Sequence, residues 1–335
     1  MKRLLLCITM LVAIAVQTAW AQAGKFFDID HLRSGLFINQ LYIDRNSFLW
    51  AVTSNGIVQY DGYQFQVFKQ GQKNATGMGN NHVLCMAQAR NGLFYFGTYA
   101  NLQVYDGVKF RDVKKLNDKG EPIYCNVNCL LVRKNGELVA GTSTDGLLSV
   151  KDNETACQMK IKLSGAGEIR SIAEDNAGQL WIVAENGVYA YDGRRVRQYM
   201  NDGDGMKFYC VCTDMSGNVY VGTANRGLFR KQGEQFLHVA ETGNTPIPAL
   251  YPDHTGNILV GFDGKGISIY NPLTGELTAN SYYSHEVELS KSKVYAIIED
   301  SKENVWLGLS EKGFFNSLPH HQASAIWDIR LVQRT

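Results

Sequence analysis

Short apolar runs alternate with tight polar turns along most of this chain, and the runs recur in register. Seven of them centre on a large residue: Trp50, Tyr95, Val139, Trp181, Tyr220, Leu259 and Trp306, spaced 39 to 47 residues apart. Immediately before these stand Leu49, Phe94, Leu138, Leu180, Val219, Ile258 and Val305. Immediately after stand Ala51, Phe96, Ala140, Ile182, Val221, Val260 and Leu307. Apolar residues at consecutive positions occupy both faces of a strand, so each of these strands is expected to be covered on both faces. Two positions past the anchor, glycine occurs in five repeats of seven (Gly97, Gly141, Gly222, Gly261 and Gly308), which predicts a close backbone approach.

The polar positions recur as well. Asp44, Asp175, Asp214, Asp253 and Asp300 share one column, in three repeats followed by Gly178, Gly217 or Gly256. Five carboxylates in register suggest metal or acid–base chemistry at first sight. Asp at the first and Gly at the fourth position of a type I turn explains them more simply, one hairpin per repeat. Tyr60-Asp61-Gly62, Tyr105-Asp106-Gly107 and Tyr191-Asp192-Gly193 mark the next hairpin turn. Repeats of 40–45 residues, each supplying several short strands, are the signature of propeller blades. The expectation is an all-β chain forming a single seven-bladed β-propeller with four-stranded blades over residues 22–316.

How such a ring closes is also legible. Lys25-Phe26-Phe27-Asp28-Ile29 has the character of a fourth strand, whereas the seventh repeat runs from Gly313-Phe314-Phe315 into Ser317-Leu318-Pro319. Proline interrupts ladder pairing there. The N-terminal strand is therefore expected to close the seventh blade, leaving 317–335 as a C-terminal tail. The rival closure uses Ala325-Ile326-Trp327-Asp328-Ile329.

Composition changes this picture little. Glycine is abundant at 33 residues and proline scarce at 6, as suits many tight turns, and charged residues make up only 19%. A net charge of +1 leaves no electrostatic footprint for nucleic acid. Lys2-Arg3, an apolar run from Leu4 to Val16 and Ala19-Trp20-Ala21 read as a secretory signal peptide over 1–21, cut before Gln22. The remaining chain holds no further membrane segment and is expected to be exported to the periplasm.

The wording of the repeat then narrows the field. Phe48 to Gly62, Gly178 to Gly193 and Asp300 to Gly313 resemble two-component regulator propeller repeats. Such repeats build the periplasmic sensor region of hybrid two-component system proteins in Bacteroides and relatives. The resemblance extends over about residues 26–316. Departures are Asn101-Leu102 in the second repeat and the lack of Tyr-Asp-Gly in the third, fifth and sixth. It implies a ligand-sensing module, without catalytic activity of its own, that takes part in signal transduction and phosphorelay. The second propeller, immunoglobulin-like domain, membrane helix, histidine kinase, receiver and DNA-binding domain of the family's full-length proteins are not in this sequence. Two alternatives remain: a secreted propeller enzyme of polysaccharide-lyase type, and a protein-binding propeller scaffold.

No catalytic or metal constellation emerges. Cys85, Cys129 and Cys210 share one column on the innermost strand, where a small buried side chain is wanted, so free thiols are expected. Asp202-Gly203-Asp204-Gly205 begins like a calcium loop, but Met206 stands at the next ligand position and a plain turn is favoured. The seven histidines, including His320-His321, show no ligand spacing, and no cofactor is implied. A ligand is expected on the face opposite the repetitive turns, where the loops vary. The candidates there are Asn39, Arg170, Tyr209 and Tyr295 at the mouths of inner strands, with Tyr99 and Arg226 on the following loops. Tyrosine stacking on sugar rings, with Arg and Asn bonding hydroxyls, would suit a glycan-derived oligosaccharide. A homodimer or paired propeller is the expected assembly.

Overall fold

The computed structural model describes residues 24–27, 37–279, 288–310 and 313–317. The expected signal peptide over 1–21, His31, His285, residues 318–335 with His320-His321, and part of the loop Thr274–Lys293 lie outside them. What is described is almost wholly β, with short 3-10 turns and no α-helix.

Each repeat folds as an antiparallel up-and-down run of four strands, and the inner strands are Ile38–Ile43, Val83–Gln88, Val127–Val132, Ile169–Glu174, Phe208–Thr213, Ala249–Pro252 and Val294–Glu299. Successive inner strands touch one another, and the last touches the first. The hydrogen-bonded sheets number six rather than one per repeat. The outermost strand of the second repeat, Phe110–Leu116, pairs in parallel with the outermost strand of the third, Thr155–Gln158, and makes one eight-stranded sheet. Lys114 N–H donates to Glu154 C=O at 2.6 Å to start that pairing.

The seventh repeat takes its outer strand from the other end of the chain. Gly24–Phe27 pairs antiparallel with Gly313–Ser317, setting Lys25 opposite Asn316. Ser317, read from the sequence as the first residue of the tail, is instead the last residue of this strand. Its hydroxyl accepts Val305 N–H at 3.0 Å.

The second strand of each repeat is the core. Leu49–Thr53, Leu138–Thr142, Leu180–Ala184, Val219–Thr223 and Val305–Leu309 are buried at every position. The anchor residues fill the space between repeats. Trp50 packs with Met86 and Phe96 of the second repeat, Trp181 with Phe208 and Val211 of the fifth, and Trp306 with Leu41 and Val58 of the first. Burial of one such side chain contributes roughly 2–3 kcal/mol.

The aspartate column does more than turn the chain. Asp44 Oδ1 accepts the Asn46 and Phe48 N–H groups, closing the turn, while Oδ2 accepts the Trp50 indole N–H at 2.8 Å. Asp175–Trp181, Asp300–Trp306 and Asp214–Tyr220 repeat the contact at 2.9, 3.0 and 3.0 Å. The Tyr-Asp-Gly turns are built alike: the tyrosine hydroxyl donates to the glycine carbonyl, and the aspartate accepts two backbone N–H groups, as at Asp106. Those bonds pull the Asp106 carboxyl down to about 2. Asp152 and Asn271 accept the same pairs of N–H groups in the third and sixth repeats, which lack the triplet.

Neighbouring repeats are also stitched at the turns that follow the first four inner strands. Arg45 donates to the Arg90 carbonyl, Arg90 to the Lys134 carbonyl, Lys134 to the Asp175 carbonyl and Asn176 to the Met215 carbonyl. The series stops at Met215, whose side chain has no N–H or O–H to give.

Candidate functional site

Six of the seven inner strands carry a β-bulge near their start, and the register shifts fall around Asn39, Leu84, Asn128, Arg170, Tyr209 and Tyr295. A bulge leaves one residue out of the ladder and re-aims its side chain. All six residues line one central cavity of about 380 Å³, with Pro248 at the seventh position. Four of the six candidates read from sequence, Asn39, Arg170, Tyr209 and Tyr295, are thus brought to a single site.

Their neighbours define what the site can do. Asn39 Nδ2 donates to Val83 C=O at 2.6 Å, and Arg170 Nη1 to Phe208 C=O at 2.9 Å, so each spans to the next inner strand. Asn128, which the sequence reading did not single out, does the same to Ile169 C=O at 3.0 Å. Its place in the column of Asn39 was the available signal. Glu168 joins Asn128 to Arg170 through bonds of 3.1 and 3.2 Å. Across the mouth, Tyr295 donates its hydroxyl to Asp263 at 3.1 Å, and Lys293 pairs with the same carboxylate at 3.3 Å. Burial and the Asp263 charge push the Tyr295 hydroxyl up to about 12, so it stays a neutral donor. Tyr209 presents a partly exposed ring to the same space. Two cations and two carboxylates therefore balance around a mouth of hydroxyl, amide and aromatic groups.

Tyr99 and Arg226 do not belong to this set. Tyr99 is half exposed, with its ring 4.2 Å from that of His82, and Arg226 stands on an exposed loop held by its N–H to Thr223. Neither lines the cavity.

The cysteine column lines the cavity too. Cys85, Cys129 and Cys210 are free thiols, as are Cys125, Cys157 and Cys212. Only Cys85 of the three is fully buried; Cys129 and Cys210 keep partial exposure, against the expectation of a crowded, closed position. Removal from water still pushes both thiols up to about 12. Each cysteine faces a glycine across the ladder: Cys85 opposite Gly97, Cys129 opposite Gly141 and Cys210 opposite Gly222. A Cβ on Gly141 would stand 2.5 Å from Cys129 Sγ and 2.6 Å from Ile169 of the next repeat. Where valine replaces the glycine, the partner is Gln40 or Ser171, and each reaches an N–H of the neighbouring inner strand, Met86 or Val211.

Among the described residues no group of three or more His, Cys, Asp or Glu side chains is placed to hold a metal. Gly203–Gly205, in the segment that begins like a calcium loop, forms a short 3-10 turn. No helix among the described residues is long and apolar enough to cross a membrane.

No protein-family model matches this chain. No curated protein matches it either. Solved structures do. The extracellular domain of the putative hybrid two-component system BT4673 from B. thetaiotaomicron superposes with a TM-score of 0.70 at 20% identity, covering 89% of this chain and 40% of that one. The corresponding domain of BT3049 from the same organism gives 0.72 at 17% identity, covering 88% and 42%. A catalytically inactive variant of virginiamycin B lyase from Staphylococcus aureus, solved with quinupristin, gives 0.69 at 9%, covering 88% and 99%. The chain therefore spans about two fifths of the sensor domains it resembles and nearly the whole of the lyase. At these identities the likeness establishes a shared β fold, and its first members are of the family that the repeat wording resembles.

Proposed function

We propose that this chain is a ligand-sensing propeller of the two-component regulator type, exported to the periplasm, that binds without catalysing. Its seven four-stranded runs form one ring of seven blades, shut by the Gly24–Phe27 strand on the seventh. The cycle of touching inner strands supports that count, with the parallel clasp between the second and third repeats joining two blades into one sheet.

The observation that carries the binding role is the convergence of six bulged residues on one cavity. Bulges cost ladder hydrogen bonds, and six in register turn one side chain per strand toward the same space. The ligand class that fits is a glycan-derived oligosaccharide. Tyr209 and Tyr295 offer ring faces, and Asn39, Asn128 and Arg170 retain hydrogen-bonding capacity beyond the contacts they make. The sensor reading is favoured over the lyase because the wording of the repeat resembles the sensor family and the sensor domains share more of their sequence with this chain, 17–20% against 9% for the lyase.

Titration calorimetry with defined oligosaccharides, run beside an assay for cleaved product, tests this reading. Heat without turnover supports it, and heat abolished by Tyr209→Ala or Arg170→Ala places the site. Turnover would make the chain an enzyme. Silence with every glycan would favour a protein-binding scaffold, as would capture of a second propeller alone.

A further inference from the structure

The backbone of the inner strands gives the central cavity a second kind of wall. In an antiparallel pair, alternate residues turn their N–H and C=O away from the partner strand. Met86 and Val211 stand at such positions, opposite Phe96 and Val221, and their N–H groups donate to Gln40 Oε1 at 2.8 Å and to Ser171 Oγ at 3.2 Å. Leu41, Leu130, Ile172, Leu250 and Ile297 hold the same place in the remaining repeats, opposite Ala51, Ala140, Ile182, Val260 and Leu307. Their N–H groups therefore turn inward as well, and all five residues line the cavity. Leu130, Ile172 and Leu250 keep partial exposure although they lie on the innermost strands. The side chains that cap Met86 and Val211 come from the preceding repeat, and the same column elsewhere holds Cys85, Cys129, Cys210, Ala249 and Ala296. Alanine has nothing to offer an N–H, and a thiol accepts weakly. Cys85 and Cys210 instead turn their S–H to the Val127 and Ile247 carbonyls at 3.4 and 3.5 Å. Among the described residues no side chain accepts the five N–H groups.

The carbonyls nearer the mouth are treated the opposite way. Those of Val83, Ile169 and Phe208 are taken by Asn39, Asn128 and Arg170, and those of Val127 and Ile247 by the two thiols. Side chains thus cover acceptors at the mouth more fully than the donors just below it. Each of the five residues also turns its C=O inward. Every inner strand runs from the bulge at the mouth toward its turn, however, so that C=O lies deeper than the N–H. A ligand entering at the mouth meets the N–H groups first. Arg170, which can only donate, stands on the same wall. The carboxylates beside the mouth are engaged, Glu168 with Asn128 and Arg170, Asp263 with Tyr295 and Lys293. A sugar hydroxyl brings a donor of its own, whereas carboxylate and sulfate oxygens only accept, so an oxyanion is what this wall completes. Inward-facing backbone N–H groups are a recurrent means of holding anions.

We infer that the ligand of the central cavity is an acidic sugar, whose carboxylate or sulfate oxygens accept from the ring of inward N–H groups that includes Leu130, Ile172 and Leu250. This rests on the oligosaccharide reading above and narrows it to acidic members. The full chain is titrated calorimetrically, at fixed ionic strength, with matched acidic and neutral sugars: digalacturonate against galactobiose, dimannuronate against mannobiose, and a sulfated galactose against galactose. In a pair that binds, the acidic member should bind about tenfold or more tightly, as hydrogen bonds to a charged group imply. The carboxylate and sulfate arms show which oxyanion is preferred. Leu250→Pro deletes one inward N–H and no ladder bond, and Pro252, at the same alternation two residues on, shows that this strand takes proline there. It should weaken the acidic sugar about tenfold and leave the neutral one unchanged, and Ile172→Pro should do the same from another repeat. Should neither variant fold, the acidic-to-neutral ratio in the unaltered chain decides. A neutral member that binds as tightly as its acidic partner, or acidic binding unchanged in a folded proline variant, would overturn the inference. Heat from neutral sugars alone, lost in Tyr209→Ala, would remove it while leaving the oligosaccharide reading in place; silence from every pair would remove both.

Discussion

Asp300 accepts the indole N–H of Trp306 at 3.0 Å, six residues along the chain, and so ties a surface turn to the core it precedes. The same pair recurs as Asp44–Trp50 and Asp175–Trp181. Where the aspartate is replaced by Ala89 or Arg133, the anchor is Tyr95 or Val139 rather than tryptophan. Trp50→Phe should therefore cost about 1–3 kcal/mol, mainly because a buried Asp44 oxygen loses its donor. Trp50→Ala should cost about 3–5 kcal/mol through lost packing. Urea unfolding of Trp50→Phe, Asp44→Ala and the double variant measures the coupling. Additive losses would show that the indole bond contributes nothing.

Cys129 and Gly141 should behave as one unit. Gly141→Ala places a methyl against Cys129 Sγ and Ile169, and overpacking of this kind costs about 1–3 kcal/mol. Cys129→Ala in the same chain frees the space and should recover part of the loss. Equal destabilisation with and without the cysteine change would place the strain elsewhere.

Alkaline stability follows from the thiols. Cys129 and Cys210 titrate near 12 in the fold, against an ordinary value of 9. A raised acid holds its neutral form in the native state, so its contribution is whole below pH 9 and is lost as the pH climbs from 9 toward 12. Cys129→Ala and Cys210→Ala should flatten the fall in midpoint over that window and change little at pH 7–8 beyond a constant offset. Both thiols should also react slowly with a disulfide reagent until denaturant is added.

Ser47 adopts φ 64° at the turn position where Gly92, Gly136, Gly178, Gly217 and Gly256 stand in other repeats with φ from 79° to 92°. A side chain in this left-handed region costs roughly 1–2 kcal/mol. Ser47→Gly should raise stability by about 1 kcal/mol, part of the relief being offset by the greater freedom of glycine when unfolded. A lower unfolding midpoint would show that the serine side chain contributes more than its backbone costs.

Deletion of residues 22–30 should lower the midpoint of the whole protein, because it strips the partner from Gly313–Ser317 and exposes that strand's edge. Truncation after Ser317 should cost little. The reverse pair of results would show that the C-terminal residues close the ring.

Much of this was legible in the sequence because a repeat is read many times over. Strand positions apolar on both faces, the turn signals and the N-terminal closing strand all sit where the columns place them. Asn39, Arg170, Tyr209 and Tyr295 come to one cavity because all four occupy one column. The bulges that aim them were not visible, since a one-residue slip of pairing leaves no trace in the hydrophobic pattern. The second role of the aspartates was hidden by a sufficient first one: a turn already explained Asp44, so its bond to Trp50 was not sought. Tyr99 and Arg226 fall outside the central cavity: loop tips lie outside the register, and nothing in the columns says which way they point. The parallel pairing of Phe110–Leu116 with Thr155–Gln158 depends on two outermost strands of unlike sequence meeting at the rim, and no periodicity encodes it.

That rim contact makes the molecule mechanically lopsided. Two neighbouring sheets riveted edge to edge cannot swing apart as a hinge does, since the backbone bonds that join Lys114–Leu116 to Glu154–Cys157 would have to break first. Among the described residues no other pair of repeats shares a sheet, so parting at this rim costs ladder bonds that the other junctions do not have, and a ring of like units loses its rotational equivalence there.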